Sequence, residues 1–562
     1  MSNMNDFPWL SHYPKSVPHE INPDSYPSLI EFLNDCVSKY GDKPAYENMG
    51  VELTFNQIGE MSTAFANYLM CETKLEQGDR VALQMPNVLQ YPVALFGIIK
   101  AGMIAVNTNP QYKPSEMEHQ FIDAGVKGII LLNTFAFKLE EILPKTSIET
   151  VIIAEVGDLL GTFKGAIVDF MIKRVKRMVP DFDLPQSVDF QEVIRKGKEH
   201  RYKKPVVKSN DIALLQYTGG TTGVAKGAAL SHRNLIANIE QVAAWMKPKL
   251  LEGKEVTITA LPLYHVFSLT VNCFGMLKIG AKSILITDPR KMDDFIKVLK
   301  SHPFTVITGV NTLFNGLVQK SEFGNVNFSH LKVSVAGGMA LQDAVADKWK
   351  TITGNDIVEG YGLSETAPLL TCNPIDGTQK LGTIGLPVPS TEIKIVDDEG
   401  VTQVTGSYGE IYARGPQIMT GYWRNAEETA IVMDGDWFKT GDIAFFDSDG
   451  YLKIVDRKKE MINVSGMKVF PNEVENVISK VEGVLEVGVI GVAHKNSGEV
   501  VKAFIVRANP KLTEEDVMKH CRDHLVAYKM PKFIEFRDEL PKSNVGKILR
   551  KELRREELER AM

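Results

Sequence analysis

Along the first 390 or so positions, short runs of β-branched and aliphatic residues alternate with stretches whose apolar residues recur at helical spacing. The run at 80–83 leads to a helix pattern at 91–101, that at 128–131 to 136–143, that at 283–286 to 292–299, and that at 306–308 to 312–318. Such alternation predicts α/β layers built on parallel sheets. Near residue 390 the pattern shifts to short strands at 391–396, 409–413 and 451–454, separated by the Asp/Gly turns 397–400 and 447–450. This predicts an antiparallel or barrel-like subdomain. A charged run, Asp456-Arg457-Lys458-Lys459, follows, and about a hundred residues beyond it carry their own strand and helix signals. With 562 residues, the chain exceeds the roughly 250–300 that one core supports. The run is therefore a candidate hinge, dividing a domain at 1–455 from one at 460–562, with the pivot at 456–459.

Candidate chemistry begins at residues 215–232, LQYTGGTTGVAKGAALSH. A loop rich in Gly and Thr between a strand and a helix suits phosphate, because backbone N–H groups can converge while hydroxyls and a lysine add donors and charge. The spacing is not that of a P-loop, since Gly223 stands three residues before Lys226 and no hydroxyl follows the lysine directly. The dinucleotide fingerprint fails too: Gly219 and Gly220 are adjacent, and the helix is expected only near Ser231, which can cap it. An ordinary Gly/Thr surface loop would read the same way, so other segments have to decide.

Composition narrows the field only at its edges. Net charge is −6 with 24% charged residues, which excludes the strongly basic footprint of a bulk nucleic-acid binder. The five cysteines, Cys36, Cys71, Cys273, Cys372 and Cys521, have no C-x-x-C spacing, so neither a disulfide framework nor a zinc site is expected, as suits a reducing cytosol. The first twenty residues lack the pattern of a secretory signal, and no stretch reaches the roughly 18 apolar residues of a membrane span. Residues 165–179, GAIVDFMIKRVKRMV, stand apart: Ile167, Phe170, Met171, Val175 and Met178 recur near helical spacing, with Lys173, Arg174, Lys176 and Arg177 clustered towards one end. That pattern fits an anionic membrane surface, and equally a core-packing helix with a solvated basic edge.

Four further segments join the loop: YGLSE at 361–365, TGD at 440–442, DRKKEMINVSG at 456–466 and PKSNVGKILR at 541–550. In this order the five resemble the adenylate-forming superfamily of acyl-CoA synthetases, peptide-synthetase adenylation domains and luciferases. Within it, LLQYTGGTTGVAKGA (214–228), ALPLYHVFSLT (260–270), VEGYGLSETAPL (358–369), WFKTGDIA (437–444) and IVDRKKEMINVSGMKVFPNEVE (454–475) are most similar to bacterial long-chain fatty acid–CoA ligases. Gly219 stands where many relatives have serine. Ser364 stands where threonine is common and keeps the hydroxyl.

The resemblance implies a large N-terminal domain of two αβαβα sheet layers plus a distorted β-barrel, with a small mobile α+β C-terminal domain. It implies that a fatty acid carboxylate attacks ATP to give an acyl-adenylate, from which coenzyme A then displaces AMP. The segment Tyr217, Thr218, Gly219, Gly220, Thr221, Thr222, Gly223 and Lys226 would hold the β- and γ-phosphates, and Thr218 with Glu365 would hold Mg2+, a hard cation that prefers oxygen. Tyr361 would stack on adenine, with Gly338, Gly360 and Ser364 beside the nucleotide; Asp442 and Arg457 would take the ribose hydroxyls. Lys547 would stabilise the charge shared by carboxylate and α-phosphate, and His265 would sit between the acyl and adenylate sites. Lys459 would be the pivot, Gly466 and Lys468 would line the pantetheine tunnel, and the acyl channel would lie around Phe267, Val310 and Phe314. A cytoplasmic enzyme touching the inner face of the cytoplasmic membrane, and a homodimer, are also implied. Another carboxylic acid, aromatic or medium-chain, and a non-catalytic protein that binds acyl-AMP or lipid are the alternative readings.

Overall fold

Two large sheets form the body of the molecule in a computed structural model that describes residues 7–218, 225–495, 497–543 and 546–561. Among the described residues one sheet has eight strands, with Arg80–Gln84 paired in parallel to both Ile104–Asn107 and Val126–Leu132. The other has nine, with Val306–Gly309, Val333–Gly337 and Ile357–Gly362 side by side in parallel. Val81, Ala82 and Leu83 are fully buried, as a parallel strand covered on both faces requires. Each expected strand–helix pair is present: Arg80–Gln84 precedes Gln90–Lys100, Val126–Leu132 precedes Ala136–Ile142, Lys282–Leu285 precedes Met292–Ser301, and Val306–Gly309 precedes Asn311–Val318.

Ser231 caps the helix His232–Met246, its side chain accepting from Asn234 N at 3.1 Å. The expected direct passage from Gly/Thr loop to helix is corrected by an intervening strand, Lys226–Ser231, antiparallel to Ile212–Thr218. Ala228, Ala229 and Leu230 are buried there, and Gly421–Tyr422 pairs with the strand's other edge. Tertiary pairing thus makes a strand of small residues whose own propensity for one is weak.

The third sheet carries the antiparallel strands expected after residue 390, with Gly409–Arg414 between Glu392–Val396 and Trp437–Phe446, and Leu452–Arg457 beyond. Its Asp/Gly turns close as expected: Gly400 N donates to Asp397 O and Gly450 N to Asp447 O. Past Arg457, the strands Val484–His494 and Gly498–Arg507 form a long hairpin, with Phe533–Arg537 parallel to the latter. Val474, Ile478, Val487, Val501 and Val517 form a core there, distinct from those of the body. Among the described residues, no helix is long and apolar enough to cross a membrane.

Candidate active site

Ligand sites of open α/β sheets lie beyond the carboxyl ends of the parallel strands, and several motif residues converge there. Val333–Gly337 ends at Gly338, Ile357–Gly362 carries Gly360 and Tyr361, and the turn Ser364–Thr366 that follows carries Ser364 and Glu365. The antiparallel ladder of the third sheet sets Asp442 opposite Arg457. The Tyr361 hydroxyl donates to Asp442 Oδ2 at 2.6 Å, and Arg457 Nε lies 3.2 Å from Asp442 Oδ1. Burial, then the Asp442 charge, pushes the Tyr361 phenol well above its ordinary range, so it stays a donor. Asp442 itself holds the Arg457 guanidinium charged. A buried carboxylate, 4% exposed, is thereby fixed by two donors while keeping acceptor capacity for further hydroxyls.

Glu365 is also buried, and its Oε1 accepts from the Tyr422 hydroxyl at 2.7 Å. Tyr422 belongs to the strand beside Lys226–Ser231, and Lys226–Ser231 and Ile212–Thr218 both pack on the turn carrying Glu365. Thr218 ends the first strand opposite Lys226, whose ammonium pairs with Glu428 and lies 5.3 Å from the centre of the Tyr422 ring. The loop positions Gly219, Gly220, Thr221, Thr222 and Gly223 lie outside the described residues. Tyr217 is a correction to the expected set as far as its side chain goes. Its hydroxyl donates to Asp123 Oδ2 at 2.5 Å, away from the cavity, because successive residues of a strand point to opposite faces.

Lys547 enters from the C-terminal unit. The preceding Gly546, at φ +81°, offers its carbonyl to Thr312 Oγ1 at 3.1 Å on the helix Asn311–Val318; a Cβ there would lie 2.4 Å from the same oxygen. The turn therefore requires glycine on two counts. The Lys547 side chain runs beside Gly338, where a Cβ would lie 3.5 Å from Lys547 Cε. Burial, then Arg457, pulls its ammonium down to about 8, while Asp442 and Glu365 pull the other way. His265 caps the turn Val266–Ser268, its Nδ1 accepting from Phe267 N at 3.4 Å. Burial, then the Lys547 charge, holds the imidazole at about 4, so at neutral pH it is uncharged and can orient a neighbour only through hydrogen bonds.

Of these side chains, His265, Tyr361, Ser364, Glu365, Arg457 and Lys547 line one cavity of about 200 Å3. Its polar end holds Lys547, Arg457, Tyr361, Ser364 and Glu365; its apolar end is walled by Trp245, Met246, Phe267, Val333, Val335 and Ile375. The expected channel residues are corrected in part. Phe267 lines the cavity, but Val310 stands against the Gly546 turn and Phe314 is fully buried against Trp349, with ring centres 4.8 Å apart. The helix Asn311–Val318 packs its apolar face on Asp343–Thr353, and His232–Met246 supplies the wall instead. Sequence reasoning also missed Tyr422 and Thr312. Neither carries a local signal, since each acts on a partner far along the chain.

Lys459 is exposed on the turn Lys458–Glu460. Gly466 and Lys468 are exposed on the hairpin of Ile462–Val464 and Met467–Val469, outside the cavity. The C-terminal unit meets the body through Lys480–Asp343 at 2.6 Å, Asn315 Nδ2 to Leu485 O at 3.0 Å, and Arg550–Asp456 at 3.2 Å.

A family model described as AMP-binding enzyme matches residues 33–423, and one described as AMP-binding enzyme C-terminal domain matches residues 473–547. The chain is 52% identical over 550 residues to a long-chain-fatty-acid–CoA ligase of Yersinia pestis, covering 98% of each chain. Among solved structures it is similar to the anthranilate CoA ligase AuaEII in complex with anthranoyl-AMP, with TM-score 0.86 and 26% identity over 96% of this chain and 100% of that one. It is similar also to ATP-bound MatB from Rhodopseudomonas palustris, with TM-score 0.80 and 27% identity over 94% of this chain and 98% of that one.

Proposed function

The chain belongs to the AMP-binding enzyme family, and from that premise we propose that it converts long-chain fatty acids, ATP and coenzyme A into acyl-CoA, AMP and pyrophosphate through an acyl-adenylate. One observation carries the reading: a single cavity joins a cluster of fixed polar and charged groups to an apolar pouch. A carboxylate held at the junction meets the α-phosphate at the polar end while its chain is removed from water at the other.

The roles are those the resemblance implies, and the cavity lining is consistent with several of them. Lys547 neutralises the charge that builds between the attacking carboxylate and the α-phosphate, and it does so in a site where water is scarce. Asp442 and Arg457 take the ribose hydroxyls; Tyr361 presents its ring to adenine beside Gly338, Gly360 and Ser364. His265, neutral at the junction, orients the carboxylate by hydrogen bonding. The loop of Thr218, Gly219, Gly220, Thr221, Thr222, Gly223 and Lys226 grips the β- and γ-phosphates. Among the described residues no cluster of three or more His, Cys, Asp or Glu side chains could hold a metal, so an ion here relies on few protein ligands. Glu365 fits Mg2+ in that way: its Oε1 accepts from Tyr422 and its turn packs on the strand that ends at Thr218, so the Glu365 carboxylate and the Thr218 hydroxyl would hold the ion. When bound, Mg2+ would neutralise triphosphate charge. The body, 1–455, and the C-terminal unit, 460–562, are the two domains, turning about 456–459 at Lys459, which brings Gly466 and Lys468 to the pantetheine arm. We place the enzyme in the cytoplasm, in peripheral contact with the inner face of the cytoplasmic membrane, and as a homodimer.

Pyrophosphate release with ATP and palmitate tests the reading. Turnover that favours palmitate supports it; preference for an aromatic acid, or no release with any acid, selects one of the alternative readings. Val335→Trp, in the apolar wall, should narrow the pouch. Each excluded methylene forfeits about 0.8 kcal/mol, so losing three or four lowers kcat/KM for palmitate roughly 10²-fold while octanoate is little affected. Equal effects on both acids would place the chain elsewhere.

Lys547 also sets a pH dependence. Only the ammonium form serves, and it loses its proton as pH rises through about 8. Adenylation kcat/KM should therefore hold below that pH and fall about tenfold per unit above it. Lys547→Arg should remove the fall, and a wild-type profile flat to about pH 9.5 would exclude the assignment.

A further inference from the structure

We propose that the segment spanning residues 162–178, helical as far as Val175, is a membrane-docking element that lies in the headgroup region of an anionic bilayer. The proposal rests on the acyl-CoA ligase reading, whose substrate partitions into bilayers, and names the surface by which that enzyme meets its lipid source.

The segment is helical over Thr162–Phe170 and continues at wider pitch over Met171–Val175. One row is seated on the body. Gly165 lies so close to the backbone that a Cβ would be 2.3 Å from Gly157 O, Asp169 Oδ1 accepts from Gly157 N at 2.9 Å, and Val168 and Ile172 pack on the main core. Lys173 pairs with Glu155, and Lys164 donates to Met49 O. The helix is thus held in place by one side.

Its other row is apolar and faces outward. Phe163 is 83% exposed and Phe170 60%, and Ile167, Met171, Val175 and Met178 are exposed with them. The core-packing alternative, which would put these residues inside, does not hold for them. Scattered exposed apolar residues are ordinary, but five on one short helix and a sixth just beyond it are a concentration that marks an interaction surface. Arg174, Lys176 and Arg177 are exposed in the same turns. The carboxylates Asp169 and Glu155 turn to Gly157 and Lys173, and the exposed Asp294, paired first with Lys297, lies within electrostatic reach of Lys176. On a chain whose net charge is −6, this cationic cluster is local.

An apolar row with cations beside it is the arrangement that lies flat in an acidic lipid surface, the rings among acyl chains and the cations at phosphates. A second copy of this chain is a poorer occupant. In a two-fold contact the patch would meet itself, bringing Arg174, Lys176 and Arg177 against like charges.

The test floats the full-length protein with phosphatidylcholine vesicles and with vesicles that also contain phosphatidylglycerol. The wild type should float with the acidic vesicles and do so less as salt rises. Arg174→Glu/Lys176→Glu/Arg177→Glu should weaken that binding by roughly a hundredfold, each cation contributing about fivefold at such a surface. Phe163→Ser/Ile167→Ser/Phe170→Ser should release the protein even at low salt. Both variants alter exposed side chains, and thermal melting confirms that they fold. If both folded variants float as the wild type does, or if wild type ignores acidic vesicles and the serine variant instead breaks a dimer in sedimentation, the docking proposal is overturned. Octanoate turnover separates this from the ligase reading. Retained turnover with unchanged flotation defeats the docking element alone, whereas absent turnover of every acid, palmitate included, in the wild type defeats the ligase reading, whatever the vesicles show.

Discussion

Lys547→Ala is expected to slow adenylation by roughly 10²- to 10³-fold, the effect of removing a preorganised charge worth about 2.7–4 kcal/mol to a transition state. The competing explanation is a loss of fold, and the geometry argues against it. Lys547 is buried with its ammonium pulled down to about 8, so the protein bears a cost for keeping it charged there, and alanine relieves that cost. The Gly546 turn keeps its bond from Thr312, a backbone contact that alanine at the next position leaves alone. Melting temperature should therefore hold, and thioester formation from supplied acyl-adenylate should continue near the wild-type rate. Adenylation at the wild-type rate would remove Lys547 from the chemistry; collapse of both half-reactions with a lowered melting temperature would make it a structural residue.

The second large effect concerns the turn Lys458–Glu460. Lys459→Pro fixes φ near −65°, a value that a 3-10 turn already adopts, so the observed arrangement with Lys547 in the cavity is retained at a modest cost to the conformation of Lys458. The proposed thioester-forming arrangement would need a different backbone at the pivot. Holding it to about 1% of molecules slows thioester formation roughly a hundredfold, with adenylation near normal. The two half-reactions are read separately, by pyrophosphate release and by acyl transfer from supplied adenylate. Equal loss in both would move the pivot away from Lys459.

The alternation of buried strands with helices was legible because parallel strands covered on both faces must be apolar throughout, as at Val81, Ala82 and Leu83. The cluster of Tyr361, Glu365, Asp442, Arg457 and Lys547 was legible through the resemblance, and the structure brings four of them around one cavity with Asp442 bound to the Tyr361 hydroxyl. Long-range geometry hid the rest. Trp245 and Met246 occupy helical spacing that any core stripe shares, so nothing local says that they border a cavity and that Phe314 does not. Tyr217 sits in the motif but points to Asp123, a matter of strand parity. The strand Lys226–Ser231 owes its form to its two neighbours, which no local pattern encodes.

Arg550 reaches from the start of the last helix to Asp456, on the body side of the charged run, and to Glu475, on the far side of it. In the proposed turn at Lys459 the first of those two bonds crosses the pivot; the second travels with the moving part. If the small unit turns about Lys459 as proposed, the ion pair to Asp456 would act as a latch opened and shut in each cycle, so that weakening it would hasten departure from the first chemical step while shortening the time available for it.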